Sequence, residues 1–282
     1  MRQIVQPGPA SADRIQWAAS HGRSFSMLLD EGLPLLEAVR RGFAAAGFTS
    51  GVARVEGLAL APFAYVMPAL STTPEHAAFY SETFRPPGTS VLEAGSLTFG
   101  CREGAPFFHC HGLWTEVDGR RRGGHVLPAE TQIARTIMVP AVGLDGAAFV
   151  AEHDPETNFT LFGAVSARLL GTSRQGRFYA VRVKPNVDLI ETLEAFCQLH
   201  GVARATIHGG VGSTIGARFA DGGTVENFAT EVAITRGAVT ADGSGSEIEA
   251  VLVDYTGATA SGLLQRGENP VLMTFELVLE AG

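Results

Sequence analysis

Apolar and polar positions alternate in short runs along this 282-residue chain, and glycine, proline and aspartate separate the runs. That rhythm predicts strands and turns, with helical spacing of apolar residues in two stretches. In the first half, residues 23–29 (RSFSMLL) predict a strand and Glu31-Gly32 a turn. Residues 33–46 then predict an amphipathic helix closed by Gly47, and residues 52–57 a short strand of small side chains. The second half follows the same order. Residues 177–183 predict a strand, Lys184-Pro185-Asn186 a turn, 187–199 a helix closed by His200-Gly201, and 205–210 a short small-residue strand. Gly47 and Gly201 stand where helix C-caps are expected.

The correspondence runs to the end of each half. Asp118-Gly119 matches Thr256-Gly257, Gly123-Gly124-His125 matches Ser261-Gly262-Leu263, Glu130 matches Glu268, and residues 133–139 match 271–277. An internal duplication is therefore expected, with domains at 1–170 and 171–282 and a linker at 171–176 (GTSRQG). Residues 153–158 read as a turn-rich loop and 159–165 as a strand closing the first sheet. Residues 71–90, with Pro74, Pro86, Pro87 and Gly88, form an excursion whose one regular piece is 74–84. A long loop in a compact domain is expected to be functional or to reach a neighbouring subunit.

The chemistry concentrates at His109-Cys110-His111, followed by Asp118-Gly119 and then Gly123-Gly124-His125. Phe107, Phe108, Leu113, Trp114 and Val117 mark the segment as a strand, and alternate side chains of a strand share a face. His109 and His111 thus project together as a two-point metal clamp. A two-residue turn at Asp118-Gly119 would set His125 opposite Gly112, on the wrong face. A three-residue loop or one bulge reverses that parity, and Gly123-Gly124 suits a bulge. Three histidines with a fourth position open is a common catalytic zinc arrangement.

The net charge is −8, shared by both halves, which weighs against direct nucleic-acid binding. Cys101, Cys110 and Cys197 are an odd set without zinc-ribbon or redox spacing, so a reduced, cytoplasmic setting is expected. Cys110 faces away from the histidines and reads as a small buried side chain. The first residues lack a signal-peptide shape, and no stretch approaches a membrane span.

The order strand, glycine then helix, small-residue strand, His-x-His strand, Asp-Gly turn, Gly-Gly-His and strand resembles the plants-and-prokaryotes-conserved (PPC) domain. The first half carries the resemblance most clearly, through residues 107–126, and the other half is similar to a degenerate copy. The resemblance implies an α+β fold of two repeated domains, each a mostly antiparallel β-sheet with packed helices. It also implies a homo-oligomer, trimeric in prokaryotic members, and a metal at His109, His111 and His125. Plant members join the domain to an AT-hook. Residues 118–124 lack the Arg-Gly-Arg-Pro core of that element.

Imidazole ligands favour zinc, with Ni²⁺, Cu²⁺ and Fe²⁺ also suited. The functional reading is a metal-binding regulatory or interaction module. The alternatives are a zinc-dependent hydrolase-like enzyme acting on a small polar or anionic substrate, and a DNA-associated regulator. Arg120, Arg121 and Arg122 are the candidate substrate clamp, and Glu116, Asp118 and Glu130 are the acids near the metal in sequence. Glu247 and Glu249, which replace His109 and His111 in the second half, read as solvent-facing acids. Residues 208–213 (HGGVGS) read as a glycine-rich strand crossing or a subunit contact rather than a phosphate loop.

Overall fold

The computed structural model describes residues 2–171 and 177–282, so most of the expected linker, 172–176, lies outside the described residues. The first half contains β1 (Ile15–Leu29), α1 (Leu35–Ala45), β2 (Gly51–Val55), β3 (Leu58–Leu60), β4 (Tyr65–Val66), β5 (Pro68–Leu70) and β6 (Ala78–Tyr80). It continues with β7 (Ser90–Arg102), β8 (Ala105–Thr115), β9 (Arg121–Val126), β10 (Ile137–Asp145), β11 (Ala147–Asp154) and β12 (Phe159–Ser166). The second half contains β13 (Arg177–Val183), α2 (Leu189–Leu199), β14 (Arg204–Arg218), β15 (Thr224–Thr240), β16 (Glu247–Asp254), β17 (Thr259–Leu263) and β18 (Val271–Ala281).

The fold is mostly antiparallel sheet. Its main path runs β17-β16-β15-β14-β18-β13-β1-β10-β2-β7-β8-β9-β4. Read outward from the central β13–β1 pair, one side is β18, β14, β15, β16, β17 and the other is β10, β2, β7, β8, β9. Each strand meets its counterpart in the chain order of the other half. The two halves are therefore parts of one sheet. They join where Ile15 to Ser20 pair with Val183 to Phe178. This pairing extends β1 eight residues ahead of the strand that the local pattern predicts, because its partner lies some 160 residues away and leaves no local trace.

Both expected helices form, one per half. Asp188 caps α2 by accepting the Glu191 amide, while α1 starts at Pro34 without a side-chain cap. Gly47 and Gly201 take φ of +83° and +63°, as C-cap positions require. Each helix covers one face of its own half-sheet. Leu35, Val39 and Phe43 meet Trp114 and Phe99 in the first half, and Leu189, Leu193 and Phe196 meet Phe275 and Ile248 in the second. The remaining faces turn toward each other, with Val52, Phe149 and Phe162 against Phe178 and Val278, and Leu113 against Ala233, Val251 and Val253. Burying apolar area on both faces contributes about 25 cal/mol per Å² and makes the contact between halves part of the core.

Residues 159–166 do form a strand, but β12 pairs only with β11, which meets β7 in parallel beyond the main path. The excursion at 71–90 contains β6, which pairs with β5, so it folds back on its own chain. No described helix is long and apolar enough to cross a membrane.

A buried ion pair ties β11 to β13. Arg182 donates to Asp154 at 2.6 Å, and Asp154 also accepts from the Glu156 and Thr157 amides. Burial disfavours the Asp154 carboxylate, but Arg182 and the Thr157 hydrogen bonds outweigh it and hold the carboxyl below its usual value. A depressed carboxyl stabilises the fold above its unfolded pKa, and that contribution is lost as pH falls through the folded value. Asp154→Ala is expected to cost about 3–5 kcal/mol at pH 7 by stranding the guanidinium. The gap to the parent protein should narrow below pH 3.8. Urea unfolding at pH 7 and pH 3 measures both, and equal midpoints at pH 7 would refute the assignment.

Candidate metal centre

The three histidines of the sequence motif converge on one point. His109 and His111 lie on β8 and share a face, and His125 on β9 pairs directly opposite His111. The parity is set by the turn. Glu116 and Arg120 close it, leaving three residues, Val117 to Gly119, in the loop. The β8–β9 register then runs without a shift, so no bulge is needed at Gly123-Gly124. Those glycines serve a different need. A Cβ on Gly124 would stand 2.3 Å from the Val66 carbonyl oxygen, so glycine there lets β4 lie against β9. Cys110, between the histidines, is buried in the core behind the strand, and burial pushes its thiol up to about 12.

The ligating nitrogens of His109, His111 and His125 all lie within 4.8 Å of one another. His109 Nε2 is 2.8 Å from His111 Nε2, and His111 Nε2 is 3.2 Å from His125 Nδ1. A tetrahedral metal with 2.0–2.1 Å bonds separates its nitrogen ligands by about 3.3 Å. The opposite ring nitrogens are already engaged. His109 Nδ1 donates to Glu276 Oε2 at 2.7 Å, and His111 Nδ1 donates to the carbonyls of Gly212 and Val232 at 3.1 and 3.2 Å. These partners fix both tautomers with the Nε2 lone pairs facing inward. Glu231 Oε2 adds a third acceptor 2.6 Å from His111 Nε2. Such a gathering of acceptors needs a shared proton or a metal ion at its centre. The residues fit a divalent transition metal by donor type, tautomer and spacing.

The electrostatics separate the ligands. Burial, then the neighbouring His109 and His111, hold the His125 pKa well below its usual value, so it is neutral at pH 7 with a free lone pair. Burial also opposes protonation of His109, but Glu276 and Glu231 outweigh it and raise its proton affinity. A carboxylate behind a ligating imidazole increases its basicity toward a metal.

The acids come from the other half of the chain. Glu231 lies on β15 and Glu276 on β18, and Glu276 is fully buried. Behind Glu276 a polar chain continues, with Thr274 donating to Glu276, and Arg182 donating to Thr274 and to Asp154. Sequence reasoning passed over both acids. The available signal was a single acid inside the apolar run 271–279, VLMTFELVL. The acids close in sequence sit elsewhere. Glu116 accepts the Tyr65 hydroxyl, Asp118 holds the turn through the Arg120 amide, and Glu130 pairs with Arg85.

A cleft of about 530 Å³ opens beside His109 and His125, lined also by Phe79, Tyr80, Arg102, Phe107, Phe159 and Glu276. The excursion supplies Phe79 and Tyr80 as one wall, and the Tyr80 ring centre is 5.4 Å from that of His125. Burial, then Glu231 and Glu276, raise the Tyr80 pKa, so its hydroxyl stays protonated. Arg120, Arg121 and Arg122 do not line this cleft. Arg120 pairs with Asp118 at 3.4 Å and Arg121 with Glu93 at 2.8 Å, while Arg122 faces a separate groove with Tyr65 and Glu116. In the second half, Glu249 pairs opposite Leu263 in the register that sets His111 opposite His125, and Glu249 binds Arg236 at 3.2 Å.

Comparison with known proteins adds the family. The model of the Plants and Prokaryotes Conserved (PCC) domain, the family the sequence resembles, matches residues 170–281. The match falls on the half without the histidines, whereas the motif resemblance is clearest in the first half. No protein of curated function matches the chain. Among solved structures, a metal-containing protein from Archaeoglobus fulgidus is similar at 19% identity and TM-score 0.41, covering 52% of this chain and 96% of its own. A PPC protein from Pyrococcus horikoshii is similar at 17% identity and TM-score 0.41, covering 53% and 97%. A candidate DNA-binding protein from Ralstonia eutropha is similar at 17% identity and TM-score 0.37, covering 49% and 89%.

Glu276→Gln keeps the shape of the carboxylate and removes its charge. It is expected to weaken zinc binding about 10–100-fold. Competition with a chromophoric chelator measures this, and an unchanged affinity would remove Glu276 from the site.

Proposed function

We propose that this PCC-domain protein is a metal-dependent enzyme of hydrolytic type, acting on a small polar or anionic molecule in the cleft beside His109 and His125. His109, His111 and His125 hold one divalent transition-metal ion, zinc by preference. The observation that carries the reading is three convergent imidazoles, two of them with tautomers fixed by outer partners, at the wall of an open cleft. A metal held by His109, His111 and His125 would supply Lewis-acid chemistry, activating water at neutral pH and polarising a substrate oxygen. The protein's own groups divide the remaining work. Glu231, beside His111 Nε2, is placed to take a proton, and Glu276 holds the His109 Nδ1–H and orients that ring. Tyr80 keeps its proton and can donate it to substrate oxygen, while the buried setting of His111 excludes water from behind the site.

On this reading the chain is a tandem of two PCC-type halves, the second having Glu247, Glu249 and Leu263 where the first has its histidines and supplying, from other strands, the acids Glu231 and Glu276 that complete the first. The shared strand order and the matching β8–β9 and β16–β17 registers support it.

An alternative reading has its own support. The site joins two halves, since every outer partner named for His109 and His111 comes from residues 212–276. A metal here would also brace the sheet of an interaction module. The DNA-associated version has less behind it, because carboxylates already hold Arg120 and Arg121.

Protein purified without a metal-affinity tag is expected to contain near-stoichiometric zinc by elemental analysis, lost in the His109→Ala/His111→Ala double variant. Absence of metal from both, even after reconstitution, would sink the proposal. Chelation separates the two readings. Removing the metal lowers the unfolding temperature on either reading, but a catalytic metal takes the hydrolysis of model esters with it, whereas a bracing metal has no hydrolysis to lose.

A further inference from the structure

Arg102 ends β7 and is registered on the histidine face. In the β7–β8 pairing Thr98 stands opposite His109, Gly100 opposite Phe107 and Arg102 opposite Ala105. Directly paired residues share a face, so His109, Phe107 and Arg102 follow one another along the same side of the hairpin. The Arg102 guanidinium lies 5.6 Å from the Phe107 ring centre, and both side chains line the cleft. The four residue steps from Thr98 to Arg102 span about 13 Å of strand, which the arginine side chain shortens.

Among the described residues no carboxylate pairs with Arg102. Both acids on the cleft wall are engaged elsewhere, Glu130 by Arg85 and Glu276 by His109. The guanidinium is thus the cation, without a carboxylate partner among the described residues, of a cleft whose walls include the rings of Phe79, Tyr80, Phe107 and Phe159, set apart from the histidines by the length of a small molecule. A planar, fork-shaped donor held against a ring suits a planar oxyanion.

We infer that the cleft takes a small organic carboxylate with an apolar or aromatic body, its carboxylate on Arg102 and its other end toward the histidines. Phe79, Phe107 and Phe159 cover the body of the molecule, and Thr83 and Thr160 supply hydrogen bonds along the wall. Arg102 therefore takes the part that the sequence suggests for Arg120 to Arg122. The inference deepens the proposed function and rests on it for what happens at the histidine end. The carboxylate end stands on Arg102 alone.

Titration calorimetry with 4-phenylbutyrate, its neutral amide and inorganic phosphate tests it on the full chain. The carboxylate is expected to bind at least tenfold more tightly than the amide. Arg102→Gln should remove that preference without changing amide binding, and Arg102→Lys should restore only part of it. No carboxylate binding, equal binding of the amide, or a preference that survives Arg102→Gln would overturn the inference. Tighter Arg102-dependent binding of phosphate than of carboxylate would overturn the substrate class as well. The same titrations in the His109→Ala/His111→Ala variant, with metal content measured on each sample, keep the two ideas apart. An Arg102-dependent preference without metal preserves the carboxylate site while the metal reading fails. Bound zinc without the preference does the reverse.

Discussion

Two imidazole lone pairs 2.8 Å apart, with a carboxylate oxygen 2.6 Å from one of them, require a shared proton or a metal ion between them. That constraint organises the molecule. It explains why the far nitrogens of His109 and His111 are held by a carboxylate and two carbonyls, and why those partners sit on strands of the opposite half. It also explains why a buried acid such as Glu276 is tolerated inside an otherwise apolar strand. Its charge is offset by the site it orients and by hydrogen bonds from Thr274, backed by Arg182.

Much of the site was legible in the sequence because strand parity is a local rule. His109 and His111 had to share a face, and the position of His125 depended only on whether the turn held two or three residues. The turn resolves this with three, while Gly124 answers the approach of β4 and Gly123 the closeness of Leu113 and Val253. The two helices and their glycine caps were legible for the same reason. Glu231, Glu276 and the eight-residue extension of β1 were not, because each depends on pairing across more than a hundred residues. Charge misled in a comparable way. Three consecutive arginines draw attention, yet neighbouring carboxylates hold two of them, while the solitary Arg102 lies in the cleft.

The sheet shows how a chain can be read the same way from its two ends and still be chemically one-sided. Strand order and register agree around the β13–β1 pair, but the face with His111 and His125 on one side carries Glu249 and Leu263 on the other. The two halves share a core, so neither can shift without disturbing the packing of Val52 and Phe149 against Phe178 and Val278.

Placing both halves in one polypeptide has a genetic consequence. In a symmetric pair of identical subunits every substitution appears twice, so a ligand cannot change without changing its copy. Here position 111 and position 249 are encoded separately. One face can carry imidazoles while the other carries an ordinary surface ion pair, and the acids behind the histidines answer to a single site. Asymmetry of this kind is open to a single chain and closed to a homodimer.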